Sequence, residues 1–143
     1  MGLAELIEKR PDIAPWTSVE YAARVMAAHD VGALLVMDEE ALAGIVTERD
    51  LLNRVLAVGK NPATTTVRDV MSTPVQGVSS NAPIEEAAER MRLHNIRHLA
   101  VFDDDGDLRG MVSQRRLLSD LLGGLERKVN DLEAFIMTDG PGG

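Results

Sequence analysis

The chain repeats itself, and that repeat restricts its fold more than any other feature. Ser18 to Glu39 overlays Pro83 to Asp104 at a constant offset of 65 residues. Glu20 meets Glu85, Ala22 meets Ala87, Ala23 meets Ala88, and Met26 meets Met91. His29 then meets His94, Leu34 meets Leu99, Val36 meets Val101, and Asp38 meets Asp103. One inserted residue in the following turn moves the offset to 66, where Gly44 meets Gly110, Val46 meets Val112 and Arg49 meets Arg115. The chain is therefore two copies of one unit.

Each copy has the same pattern. Val19, Ala22, Ala23 and Met26 recur at helical spacing, as do Ile84, Ala87, Ala88 and Met91. Ser18 is the expected N-cap of the first helix, and Asn81 that of its counterpart, with Pro83 in the first turn. A short apolar run follows, ALLVM or HLAVF, and then an acidic turn in which Asp105-Gly106 is a hairpin signal. A second strand, GIVT or GMVS, leads into a second helix expected from Arg49 or Arg115. Upstream, PDIAP and VQGVSS fit short lead-in strands. The unit reads strand, helix, strand, strand, helix, an α/β fold made twice.

Composition narrows the function. The 143 residues contain no cysteine, which removes disulfides, thiolate metal sites and a cysteine nucleophile. A net charge of −8 opposes binding to nucleic acid, which needs clustered cations. Trp16, Tyr21, Phe102 and Phe135 are too few for a base-stacking platform. No apolar run approaches the ~20 residues of a membrane span, and the N-terminus lacks a signal-peptide core, so a cytoplasmic protein without membrane association is expected.

The chemistry concentrates at the junction between second strand and second helix. In GIVTERD (Gly44 to Asp50), Thr47 and Asp50 stand one helical turn apart at a helix N-terminus, where free amides and a partial positive charge gather. Two roles fit these residues. Thr47 with Glu48 and Asp50 is a respectable helix cap. The same hydroxyl and carboxylate could also hold a ligand, with Gly44 letting the strand pass close to a flat group and Ile45 supplying an apolar wall. In GMVSQRR (Gly110 to Arg116), Ser113 keeps the hydroxyl, but Arg116 replaces the acid. A guanidinium only donates hydrogen bonds, so it binds phosphate rather than sugar hydroxyls.

Taken together, SVEYAARVMAAHDVGALLVMD, GIVTERDLL, the linker TTVRDVMSTPV and APIEEAAERMRLHNIRHLAVFDDDGDLRGMVS resemble a pair of cystathionine β-synthase (CBS) domains, the tandem Bateman module, in its small stand-alone bacterial form. The likeness runs from about Pro11 to Leu122. It implies two units packed with pseudo-two-fold symmetry, sheet against sheet, with two clefts between them. It further implies that the clefts take adenine nucleotides (AMP, ADP, ATP) or adenosyl compounds such as S-adenosylmethionine, that the module is regulatory and not an enzyme, and that two modules form a homodimer. The threonine and aspartate matching Thr47 and Asp50 are ribose contacts in that family. A basic residue near Arg97 and His98 often reaches phosphate from the other unit. The nucleotide site implied is Gly44, Ile45, Thr47, Asp50, Arg97 and His98. Ser113, Arg115 and Arg116 mark a second, altered site. No obligatory cofactor and no metal is implied.

The remaining features are read as structural. His29 and His94 close equivalent helices. The string DDDGD (Asp103 to Asp107) lacks the ligand spacing and closing glutamate of an EF-hand and reads as a solvated hairpin tip. No Ser-His-Asp, paired-His or P-loop spacing is present. Leu118, Leu122, Leu125, Val129, Leu132 and Ile136 follow one another at spacings of 4, 3, 4, 3 and 4, the period of a two-stranded seam interrupted near its start by Gly123-Gly124. That helix is expected to dock either on the second unit or on a partner subunit, and the final TDGPGG to be disordered. The expected boundaries are an N-terminal helical segment (1–10), a first unit (11–60), a linker (61–74), a second unit (75–122) and a C-terminal helix with tail (123–143). The functional alternative is a ligand-free interaction module acting through dimerisation and a regulated protein partner.

Overall fold

The computed structural model describes residues 2–138; residues 139–143, part of the tail expected to be disordered, lie outside the described residues. In the first unit, α1 (Val19–His29) precedes an antiparallel pair, β1 (Ala33–Asp38) and β2 (Ala41–Thr47). A short helix, α2 (Glu48–Leu51), then continues into a turn of π-helix over Leu52–Leu56. A third helix, α3 (Val67–Val70), lies in the linker. The second unit contains β3 (Gly77–Ser79), α4 (Ile84–His94), β4 (His98–Phe102), β5 (Leu108–Ser113) and α5 (Gln114–Thr138).

The duplication persists in fine detail. Asp30 and Asn95, 65 residues apart, close α1 and α4 in the same left-handed conformation, φ 51° and ψ 48°. His29 and His94 are the exposed last residues of those helices. Both antiparallel pairs carry a register irregularity at the matching place, after Val36 and after Val101. The lead-in strands differ. β3 pairs in parallel with β4 through three residues, whereas PDIAP is reduced to one bridge between Ile13 and Val36. That bridge is held by bonds from Ile13 N–H to the Leu35 carbonyl and from Met37 N–H to the Ile13 carbonyl.

Local sequence explains most of the helix ends, with two corrections. Ser18 caps α1 by accepting from Tyr21 N–H. Asn81 does not cap α4: Pro83 occupies that position with no side-chain bond, and the Asn81 amide instead donates to Asp104. The second helices start at Glu48 and Gln114, one residue before Arg49 and Arg115, because Thr47 and Ser113 are the last strand residues. The hairpin tip is held by the Asp103 carboxylate, which accepts from Asp105 N–H and Asp107 N–H. The Asp103, Asp105 and Asp107 side chains approach one another there, the last two exposed.

Each unit builds its core from helix and sheet, and each borrows a piece of chain from outside its expected limits. Val67 and Val70 of α3 are fully buried beside Val19, Ala22, Leu34 and Val46, so the linker is part of the first core. Leu3 and Leu6, on a turn of 3-10 helix, are buried with Ala87, Met91, Leu99 and Val112 in the second core. The N-terminal segment therefore belongs to the second unit. Ala23, expected on the apolar face of α1, is exposed. Between the units a third cluster joins Ala33, Leu35 and Ile45 to Met111, the sheet-to-sheet contact that sets the clefts.

The tail departs from expectation more sharply. α5 is one unbroken helix that includes the second unit's last helix and runs through Gly123-Gly124. Leu117 is buried and Leu121 packs on the second core, but residues 125–136 are exposed, so the far half of the helix does not dock on the second unit.

A cleft shared by the two units

Thr47 and Asp50 form a reciprocal capping box. The Thr47 hydroxyl accepts from Asp50 N–H at 3.1 Å, and the Asp50 carboxylate accepts from Thr47 N–H at 3.0 Å through Oδ2. Oδ1 accepts from the Ser72 hydroxyl at 3.1 Å, and the Arg54 guanidinium lies 3.6 Å from it. Arg54 also donates to the carbonyls of Val70 and Met71, tying the linker to the helix. The helix-cap reading of this motif is thus realised. It leaves room for the other role, because a carboxylate offers about four acceptor sites and two are filled.

Beside this box opens a cleft of about 320 Å³, at the lower end of small-molecule sites. Ile45, Thr47 and Asp50 line it from the first unit, Val75, Arg97 and His98 from the second, and Ser72 from the linker. Three guanidinium groups (Arg49, Arg54, Arg97) face it against two carboxylates (Glu48, Asp50), a local positive excess in a chain of net charge −8. Gly44 is not on its wall. A Cβ there would come within 2.7 Å of the Met71 sulfur and 3.0 Å of the Ser72 carbonyl oxygen, so this glycine admits the linker, which bridges Ile45 to Ser72. His98 is not a cation at neutral pH. Burial, then the neighbouring Arg10 and Arg97 guanidinium groups, push its imidazole down to about 4 against the pull of Glu8. Arg97 alone brings positive charge from the second unit's strand start.

The symmetry-related place is built differently. Glu8 bridges to Met111 as Ser72 bridges to Ile45, and a Cβ on Gly110 would meet Ile7 as one on Gly44 would meet Met71. The N-terminal segment is thus the structural mate of the linker. Ser113 caps α5 by accepting from Arg116 N–H, and its hydroxyl donates to Glu8 at 2.9 Å. The other Glu8 oxygen accepts from Arg10 at 2.6 and 3.1 Å. Burial alone would raise the Glu8 carboxyl. Bonds from Arg10 and Ser113, with the charges of Arg10 and Arg116, outweigh it and hold the pKa below the usual value. Arg10 lines both of two hollows here, about 330 and 370 Å³, the larger with Ser113 and Arg115 on its wall.

The structure brings Ile45, Thr47, Asp50, Arg97 and His98 to the wall of one cleft, and Ser113 and Arg115 to that of the larger hollow, which Arg116 does not line. Ser72, Arg54, Glu8 and Arg10 were not anticipated from the sequence. A sequence signal for Glu8 existed. Leu3, Leu6 and Ile7 stand 64 residues before Val67, Val70 and Met71, and Glu8 stands where Ser72 does in that faint third repeat.

Comparison with known proteins agrees with this architecture. An uncharacterised protein of Methanopyrus kandleri is 39% identical over 103 residues, covering 71% of this chain and 52% of that protein, so the chain spans about half the length of that relative. The structure of a signal-transduction protein with CBS domains from Burkholderia ambifaria superposes with a TM-score of 0.80 at 30% identity, over 86% of this chain and 95% of that one. A CBS domain protein of Pyrobaculum aerophilum complexed with AMP gives 0.71 at 28% identity, over 86% and 99% of the two chains. A CBS domain pair in complex with 5'-methylthioadenosine and S-adenosyl-L-methionine gives 0.74 at 28%, over 87% and 97%. Residues 11–57 and 67–123 each match the CBS domain, and the chain belongs to the CBS-domain family as a tandem pair.

Proposed function

We propose that this protein is a regulatory ligand-sensing module that takes up an adenine nucleotide or adenosyl compound in the cleft between its two units, through Thr47 and Asp50. The observation that carries the proposal is the approach of Asp50 and Arg97, from different copies of the repeat, to one cleft. The capping box orients the Asp50 carboxylate, and its two free acceptor sites suit the paired hydroxyls of a ribose. Ile45 and Val75 offer apolar walls for the base, and Arg97 offers a phosphate partner. The solved relatives that hold AMP or S-adenosylmethionine support the same ligand class.

Such a ligand touches both units, so it favours the arrangement of the units that it fits best. The second cleft suits it less. Arg116 stands where the acid would be, and the chain's own Glu8–Arg10 pair occupies the ground between the hollows. The test is thermal denaturation with AMP, ADP, ATP and S-adenosylmethionine. Ligand at 100 times its dissociation constant is expected to add about 2.7 kcal/mol, roughly 8 °C for a chain of this size. Asp50→Asn keeps an acceptor for the Thr47 amide but turns a carboxylate oxygen into a donor. It is expected to fold and to lose most of the shift. A full shift in Asp50→Asn would refute the ribose role. Flat curves for all four ligands in the parent protein would favour the ligand-free interaction module.

A further inference from the structure

α5 leaves the body of the molecule after its second turn. Leu117 and Leu121 hold its root in the second core, while every residue from Leu125 to Ile136 is exposed. A projecting helix of about a dozen residues, with Gly123 and Gly124 at its base, is marginal in water by itself. Its apolar residues are gathered on one stripe: Leu118, Leu122, Leu125, Val129, Leu132 and Ile136 are between 45% and 62% exposed.

We propose that this stripe is the seam of a parallel two-stranded coiled coil formed with the same helix of a second copy of the chain. The 4-3-4-3-4 spacing puts Leu118, Leu125 and Leu132 at heptad position d, and Leu122, Val129 and Ile136 at position a. All three d positions are leucine, and two of the three a positions, Val129 and Ile136, are β-branched, the combination that favours two parallel strands; Leu122 at the first a position is the exception. Charge agrees with it. Lys128 falls at g and Glu133 at the e position of the next heptad, so in a parallel pair each lysine meets the glutamate of the other copy. Antiparallel packing would instead set Glu126 against Glu126 and Lys128 against Lys128. Gly123 and Gly124 fall at b and c, away from the seam, and leave no gap in it.

The absence of native cysteine makes a direct test clean. In a parallel, in-register pair, Ile136→Cys sets two thiols side by side. Mild oxidation of the full chain is then expected to give a covalent dimer on a non-reducing gel. Adding Leu132→Asp, an exposed position whose change leaves the two cores intact, is expected to reduce that product at least tenfold with no change in the thermal transition. Lys128→Glu is expected to reduce it about threefold, and Lys128→Glu with Glu133→Lys to restore it. No covalent dimer from Ile136→Cys would overturn the proposal, as would a yield indifferent to Leu132→Asp. So would a dimer formed only between Leu118→Cys and Ile136→Cys chains, the antiparallel result, or failure of the double charge reversal to rescue.

Discussion

In the first cleft the carboxylate sits on the helix, at Asp50, and accepts from a hydroxyl that the linker supplies at Ser72. In the second the helix end supplies the hydroxyl, Ser113, and the carboxylate comes from the N-terminal segment at Glu8. The same hydroxyl-to-carboxylate bond thus closes both places, with acid and alcohol exchanged between segments. Arg116 in the position of Asp50 would be an unbalanced cation by itself; beside Glu8 it is a neighbour of opposite charge. Between the two copies the carboxylate has left the helix end, yet the bond that fastens the flanking segment is kept. Binding and folding make separate demands on one motif.

Three perturbations test how deep this difference goes. The largest effect concerns His98, whose counterpart in the first unit is the buried, non-titrating Ala33. The His98 pKa is about 4 in the folded protein and near 6.5 when unfolded, so between those values the unfolded chain binds more protons. Its contribution is full above about pH 6.5 and is lost as pH falls towards 4, by up to about 3 kcal/mol. Urea denaturation at pH steps from 7 to 4 is expected to show that loss, and His98→Ala to flatten it. An unchanged slope in His98→Ala would remove His98 as its cause. The Glu8 contribution, from a lowered carboxyl, is lost only below its ordinary value of 4.5, so the two windows are separable.

A smaller contrast concerns the paired glycines. Gly110 has φ 149°, and an added Cβ would fall 2.5 Å from Ile7 Cγ2, on a branched side chain with little freedom. Gly44 has no such strain, and an added Cβ would meet first the flexible Met71 sulfur, at 2.7 Å. Gly110→Ala is expected to cost about 3 kcal/mol and Gly44→Ala about 1–2 kcal/mol in urea denaturation. Equal costs would show that the two segments dock alike. The smallest effect is expected from the exposed Arg116. Arg116→Ala should change nucleotide stabilisation at the first cleft by less than about 0.5 kcal/mol in the same thermal assay. A larger loss would mean that the clefts communicate.

The amount of this that could be read in the residues follows the range of the interactions. Capping at Ser18 and at Thr47–Asp50 spans three residues, and local spacing reveals it. The strand pairs β1–β2 and β4–β5 are hairpins, so alternation and a short turn suffice. The Asn81 cap failed because Pro83, whose φ of −63° and ψ of 151° already meet the geometry of a cap, takes that position itself. Glu8 went unnoticed because its partner Ser113 is 105 residues away and the 64-residue likeness of its segment to the linker is faint.

The residues by themselves determined the duplicated unit, the order of its elements and the faces that must be buried, because apolar period and turn chemistry are local properties. They also determined that an acid stands at 50 and an arginine at 116, and so that the clefts are chemically unequal. The tertiary structure alone decided which apolar face meets which. It put α3 into the first core and Leu3 and Leu6 into the second, brought Glu8 and Arg10 across the second cleft, left His98 neutral, and sent the end of α5 away from the body. The reason is physical: an amphipathic pattern states that a surface must leave water, while shape and distant charge choose the surface that covers it.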